Sequence, residues 1–186
     1  MSSNTLHDAL NETLYETTME SPVGTLTLVA SNTGLRAVLW QIEHANRVRI
    51  GVAEGGSVDP NGVLEAAVTQ LGEYFAGTRT DFDLPLDPVG TEFQQSAWSA
   101  LRTISFAETV SYGEQARRMG DERKARAVGA ANGRNPISII VPCHRVVGAD
   151  GSLTGFAGGL DTKAWLLDHE RLVRTGFDQD HQDPKK

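Results

Sequence analysis

Between Leu84 and Gly90 the chain changes its folding pattern, and that break limits the possible architectures more than any other feature. Three of the six positions in "PLDPVG" are Pro or Gly, a composition that interrupts both helix and strand. Before the break the pattern is mixed. "GTLTLVAS" (Gly24–Ser31) alternates apolar and polar residues with β-branched content and predicts a strand. Asn32-Thr33-Gly34 is a turn, and "LRAVLW" (Leu35–Trp40) is the return strand of a hairpin. Residues 45–62, "ANRVRIGVAEGGSVDPNG", are Gly-rich and predict loop. Val63–Gly77 places Leu64, Ala67, Val68, Leu71, Tyr74 and Phe75 at helical spacing and ends on glycine. Thr80–Leu86 predicts a short strand.

After the break the chain reads as short, sharply capped helices. Thr91 with Gln94 forms a capping-box pattern, followed by an apolar stripe of Phe93, Ala97, Trp98, Leu101 and Ile104. Ser111 with Glu114 repeats the device, and Gly120 supplies a stop. A second helix over Asp121–Gly133 follows with almost no linker and carries Arg123, Lys124 and Arg126. Two short helices joined this tightly predict a helix-turn-helix. "NPISIIVPCHRVV" predicts an extended segment, "GADGSLTGFAGG" a loop, and Asp161–Arg174 a closing helix. The expected fold is α+β, divided into residues 1–88, residues 89–176 and a flexible tail, 177–186.

At 186 residues with 39% hydrophobic content, the chain can bury a full core. No apolar run approaches the roughly 20 residues that cross a bilayer, and "MSSNTLHDALNETLYE" has no secretory pattern. A single cysteine excludes an internal disulfide and the multi-cysteine zinc sites. A reducing, cytoplasmic location is expected, with no membrane partner. The net charge of −7 is unevenly spread. Residues 1–90 hold 4 Lys/Arg against 12 Asp/Glu, whereas residues 102–145 hold 8 against 4. A basic stretch thus leads to the cysteine, and local field governs a polyanionic ligand more than total charge does.

That cysteine sits in "VPCHRV" (Val141–Val146). Cys143 reads either as a small buried hydrophobe or as a nucleophile turned outward by Pro142. A thiol reacts as its thiolate, which needs a base or a positive field. His144 is adjacent, but neighbours on a strand point to opposite faces, so direct contact is not assured; a water could bridge them if the backbone turns after Pro142. Glu170 reads either as a solvated helix carboxylate or as the group that orients His144. Arg145 reads as a surface or salt-bridged cation. Asn135 is a turn residue or a clamp on the thiol's loop.

Taken together, "SYG" (Ser111–Gly113), "RAVG" (Arg126–Gly129), "NP" (Asn135–Pro136), "PCHRV" (Pro142–Val146) and the "GG…K.WLL..E" closing helix resemble, in order, the O6-alkylguanine-DNA alkyltransferases. The likeness covers residues 91–172 well and the first half loosely, through "SPVGTLTLVAS" and "YFAG". It implies a ribonuclease H-like α/β domain packed on a mainly helical domain with the helix-turn-helix. It further implies repair of double-stranded DNA carrying O6-alkylguanine, with the alkyl group moved irreversibly to Cys143 by a monomer acting once, with no metal or cofactor. O4-alkylthymine is a second possible substrate.

The resemblance assigns His144 and Glu170 to a water-bridged relay, Asn135 to its support, and Tyr112 to the departing guanine. It assigns DNA or base contacts to Lys124, Ala125, Arg126, Gly129, Val146, Phe156 and Ala157, with Arg126 filling the stack after the nucleotide is turned out. Arg117, Arg118, Arg123 and Lys124 either meet phosphates or form a solvated face. Phe156 stands where many relatives carry tyrosine, and Ala157 where serine or arginine is usual. Two rivals stay open: a Cys-His-Glu hydrolase that turns over, and a lesion-recognition or regulatory DNA-binding protein with an inert cysteine.

Overall fold

The computed structural model describes residues 12–42, 50, 56 and 58–180. Much of the expected 45–62 loop, and the last six residues of the tail, lie outside the described residues. The structure is α+β. Strands β1 (Tyr15–Met19), β2 (Leu26–Ala30) and β3 (Leu35–Trp40) form an antiparallel sheet in the order β1-β2-β3. The hairpin expected from alternation is present, with Leu28 opposite Val38. Its turn is built by Ser31, whose Oγ accepts the amides of Thr33 and Gly34 at 3.1 and 3.3 Å. No element is expected from the sequence over Tyr15–Met19, because "YETTM" has few apolar residues; it forms because β2 offers an edge to pair with.

Helix α1 (Val63–Phe75) packs Leu64, Ala67, Leu71 and Tyr74 into the core. Its start is capped from outside by Asp59, whose carboxylate accepts the amides of Val63 and Leu64 at 2.9 Å each. Its end is set by Gly77 at φ 74°, a left-handed conformation that glycine adopts without strain. Thr80–Leu86 is not a strand. Only Leu86 forms a bridge, parallel to Leu35, because the prolines interrupt any longer ladder.

In the second half, α2 (Glu92–Leu101) begins with the expected capping box, both reciprocal bonds of Thr91 and Gln94 being present. Helix α3 (Tyr112–Arg118) has half of one: Ser111 Oγ accepts the Glu114 amide at 3.1 Å, but the Glu114 carboxylate turns to Arg117 and Arg118. The expected second helix is split into a 3-10 turn, Glu122–Lys124, and α4, Ala125–Asn132. Strands β4 (Val110–Ser111) and β5 (Val146–Val147) pair in parallel, and α5 spans Leu160–Asp180, longer at its end than expected.

One core joins the halves. Leu28, Val38, Leu71 and Tyr74 belong to the same buried cluster as Trp98, Leu101, Ile137, Cys143 and Leu166. The backbone joins them as well, through the Val38 amide donating to the Pro136 carbonyl at 2.9 Å. Gly90 marks the seam: a Cβ there would lie 2.5 Å from the Trp98 ring.

Candidate active site

Residues 138–145 are not extended. The Val141 amide donates to the Ile137 carbonyl and the Cys143 amide to the Val141 carbonyl, both at 2.9 Å, and Ile139 sits at φ 73°. A β-branched residue rarely takes that conformation, so surrounding structure must impose it. Asn135 supplies the constraint. Its Nδ2 donates to the Val141 carbonyl at 2.8 Å and to Cys143 Sγ at 3.2 Å, while its Oδ1 accepts the Ile137 amide at 3.1 Å. One buried amide thus clips the coil at both ends and touches the sulfur.

Pro142 leads into a 3-10 turn, Cys143–Arg145. The thiol is not turned outward; Cys143 is 6% exposed. Successive residues of such a turn diverge by about 120°, so Cys143 and His144 share the turn without facing each other. His144 is fully buried, and its Nε2 lies 2.8 Å from Glu170 Oε1.

Glu170 is also fully buried, which overturns the solvated reading. Helical spacing places it on the inner stripe of α5 with Lys163 and Leu166, all buried. Five donors converge on its carboxylate: the Tyr74 hydroxyl, the Ala107 amide, His144 Nε2, and Arg145 Nε and Nη2. Burial by itself would raise its pKa, but the His144 and Arg145 hydrogen bonds and charges prevail and hold it at about 2. Glu170 is therefore an acceptor only, so Nε2 carries the imidazole proton and Nδ1 presents the lone pair. That Nδ1 is buried and, among the described residues, has no hydrogen-bond partner. Burial lowers the His144 pKa, with Arg145 and Lys163 adding to the effect and Glu170 opposing it. The result is a neutral base.

Arg145 is buried rather than on the surface. Beyond Glu170, its Nη1 donates to the Ile104 carbonyl at 2.7 Å. Lys163 donates to the carbonyls of Val146 and Thr154 at 2.6 and 2.7 Å, tying the glycine-rich loop to β5. The Tyr112 hydroxyl donates to the same Thr154 carbonyl at 3.2 Å. Its pKa is raised, mainly by burial and in part by the charge of Cys143, so it stays protonated near the sulfur. Phe156 meets His144 and Trp40 edge-on, with ring centres 6.4 and 5.5 Å apart. Ala157 packs beside it, and Val146 is wholly buried in β5. Tyr74, Ala107, Lys163 and Trp40 were not expected here. For Lys163 and Tyr74 a signal existed, since both lie on the inward stripes of their helices.

The remaining candidates lie on the helix-turn-helix. Lys124 and Arg126 are exposed, Ala125 and Gly129 half-buried, and Gly129 faces the Tyr112 ring at ordinary contact distance. Among the described residues, the Arg126 side chain makes no ion pair. Arg117 and Arg118 pair with Glu114, and Arg123 with Asp121, each within 2.9 Å. No described helix is long and apolar enough to cross a membrane.

A sheet-and-helix half sharing one core with a helix-turn-helix half, and a lone thiol beside a buried imidazole–carboxylate pair, define a two-part DNA-binding protein built around a single cysteine. Residues 92–172 match the 6-O-methylguanine DNA methyltransferase DNA binding domain, and residues 14–88 match the ribonuclease-like domain of the same family. The chain is 49% identical over 154 residues to a methylated-DNA–protein-cysteine methyltransferase of Mycolicibacterium paratuberculosis, covering 83% of this chain and 90% of that one. It is 46% identical to one of Methanosarcina acetivorans, covering 83% and 96%. It also matches a crystal structure of Mycobacterium tuberculosis OGT in complex with DNA, with a TM-score of 0.75 and 46% identity over 86% of this chain and 94% of that one. The chain belongs to the 6-O-methylguanine DNA methyltransferase family.

Proposed function

We propose that this protein repairs alkylated DNA by moving the alkyl group from O6 of guanine to Cys143, once per molecule. The observation that carries the reading is the Asn135–Cys143 clip beside a neutral His144 whose Nε2–H is committed to Glu170. The thiol proton passes to His144 Nδ1 through a bridging water. The thiolate attacks the alkyl carbon, an S–C bond forms, and the O6–C bond breaks with its electrons going to the guanine. The base is neutralised by a proton from the relay, and Tyr112 donates a hydrogen bond to it. The thioether product has no ready leaving group, so the cysteine is spent.

O6 lies within the stacked duplex, so the nucleotide is turned out into the site. Arg126, exposed on α4, fills the gap, and Gly129 allows close approach. Lys124, Ala125, Val146, Phe156 and Ala157 complete the contacts to DNA and base. The protein works as a monomer in a reducing cytoplasm, with its structural division at residues 88/89.

Intact-protein mass after exposure to duplex DNA carrying one O6-methylguanine tests the reading. One added methyl on the peptide spanning residues 142–145, with no further turnover, is expected; Cys143→Ala removes transfer and keeps DNA binding. Continued product release over many cycles would establish the hydrolase instead, and no added mass on the wild-type protein would establish a binding-only role.

A further inference from the structure

We propose that Tyr74, contributed by the N-terminal half, is a positioning residue of the relay: its hydroxyl fixes the Glu170 carboxylate in the orientation that directs His144. The inference rests on the transfer reading above. Tyr74 is fully buried, and its hydroxyl donates at 3.0 Å to Oε1, the same oxygen that accepts His144 Nε2 at 2.8 Å. The phenol is held from several sides. Phe75, Phe82, Phe106 and His169 place ring centres 5.2 to 6.2 Å from it. His169 Nε2 also lies 2.8 Å from the Tyr74 carbonyl, fixing the helix end.

The packing gives the hydroxyl one direction, and that direction is the carboxylate. Burial, with the Glu170 charge and hydrogen bond adding to it, pushes the phenol pKa well above its ordinary value, so the group remains a donor at every working pH. On the other side, Arg145 grips both carboxylate oxygens through Nε and Nη2. Without the phenol, Oε1 loses the donor supplied by the N-terminal half, and the Arg145 fork and the Ala107 amide are left to set the carboxylate's orientation. Tyr74 therefore does for Glu170 what Glu170 does for His144: it selects one orientation in a low-dielectric site where a misdirected charge is costly.

Once Nδ1 holds a proton it can no longer take the thiol's, so the transfer rate falls on the acid side as His144 titrates. The charged and titratable groups facing His144 are Glu170 and Lys163 from α5 and Arg145 from its own turn. Those facing Glu170 are Tyr74, His144 and Arg145, with the Ala107 amide as the neutral donor. Removing the phenol donor makes Glu170 more basic. A more basic partner stabilises the imidazolium, so the acid limb moves to higher pH.

The experiment measures, as a function of pH, single-turnover alkylation of Cys143 by free O6-benzylguanine in the full-length protein. For Tyr74→Phe, the rate is expected to fall about 10-fold to 100-fold, the loss of one hydrogen bond to a charged group, with the acid limb shifted upward. Affinity for undamaged duplex DNA stays unchanged. Phe75→Leu disturbs the same packing without touching the carboxylate; it lowers Tm and leaves the pH profile in place. A Tyr74→Phe protein with wild-type rate and profile overturns the proposal, as does a Phe75→Leu protein with the same shifted profile. If Tyr74→Phe does not fold, 3-fluorotyrosine at position 74, a stronger donor, shifts the acid limb downward, and an unshifted limb overturns the assignment. Wild-type protein that gains neither a benzyl group from the free base nor a methyl group from duplex O6-methylguanine points instead to failure of the transfer reading.

Discussion

Two clusters in this molecule use the same residue types and behave differently. On the outer face of α3, Glu114 is shared by Arg117 and Arg118, with Glu108 near Arg118 at 3.4 Å. In the interior, Glu170 is shared by Arg145 and His144, with Tyr74 and Ala107 closing its remaining positions. Outside, water competes for every charge, so the pairs contribute little and exchange readily. Inside, no solvent replaces a lost partner, so each donor is obligatory. The exposed cluster is a surface that can trade a carboxylate for a phosphate; the buried one is a fixed device that sets the charge state of one imidazole.

The largest effect is expected from breaking the buried cluster. Glu170→Gln keeps the shape and removes the charge, leaving Arg145 buried without its counter-ion. Stability should drop by roughly 3–5 kcal/mol in urea denaturation, and alkyl transfer by about 100-fold or more as His144 loses the negative charge that orients it and stabilises its protonated form. Wild-type stability with Gln at this position would show that the cluster is not the rigid device described.

On the exposed side, Arg126→Ala is expected to slow repair of a duplex lesion about tenfold, the scale of one lost stacking contact, while alkylation by the free base is unaffected. Equal losses on both substrates would remove Arg126 from the role of filling the stack.

Acid should separate the clusters further. Glu170, held at about 2 against an ordinary 4.5, and His144, lowered from 6.5 chiefly by burial, both bind protons more readily when unfolded. Each therefore contributes stability at neutral pH that is lost as pH falls: first the His144 contribution below about 6.5, then that of Glu170 between 4.5 and about 2. Tm measured between pH 7 and pH 3 should fall in that order, and the lower step should vanish in Glu170→Gln.

The smallest effect is expected from Glu114→Gln. Tm should stay essentially unchanged, while Arg117 and Arg118 become available to phosphates. Affinity for undamaged duplex should then rise and its dependence on salt should steepen. An unchanged salt slope would place both arginines outside the DNA-facing surface.

Much was legible along the chain. The β2–β3 hairpin, the α1 stripe, the Thr91–Gln94 box and the Gly120 stop are local devices, written in periods of 2 and 3.6 and in capping residues a few positions apart. The cysteine, its histidine neighbour and Asn135 stood out because they fall within nine residues of one another. The segment that holds them was misread as extended, since "ISII" favours a strand by composition. The Asn135 side chain, reaching to Val141 and Cys143, wins over that preference.

The chain by itself determined where most helices and strands begin and placed Asn135, Cys143 and His144 close together, because those signals come from neighbours in sequence. Only the tertiary structure decided that Glu170 is buried, that Arg145 is its partner rather than a surface charge, and that Tyr74, 96 positions earlier, joins them. The physical reason is that a carboxylate's state depends on which donors surround it and how little water remains. Those donors come from positions 74, 107, 144 and 145, on both sides of the break in the chain, and they meet the carboxylate only when the two halves close over one core.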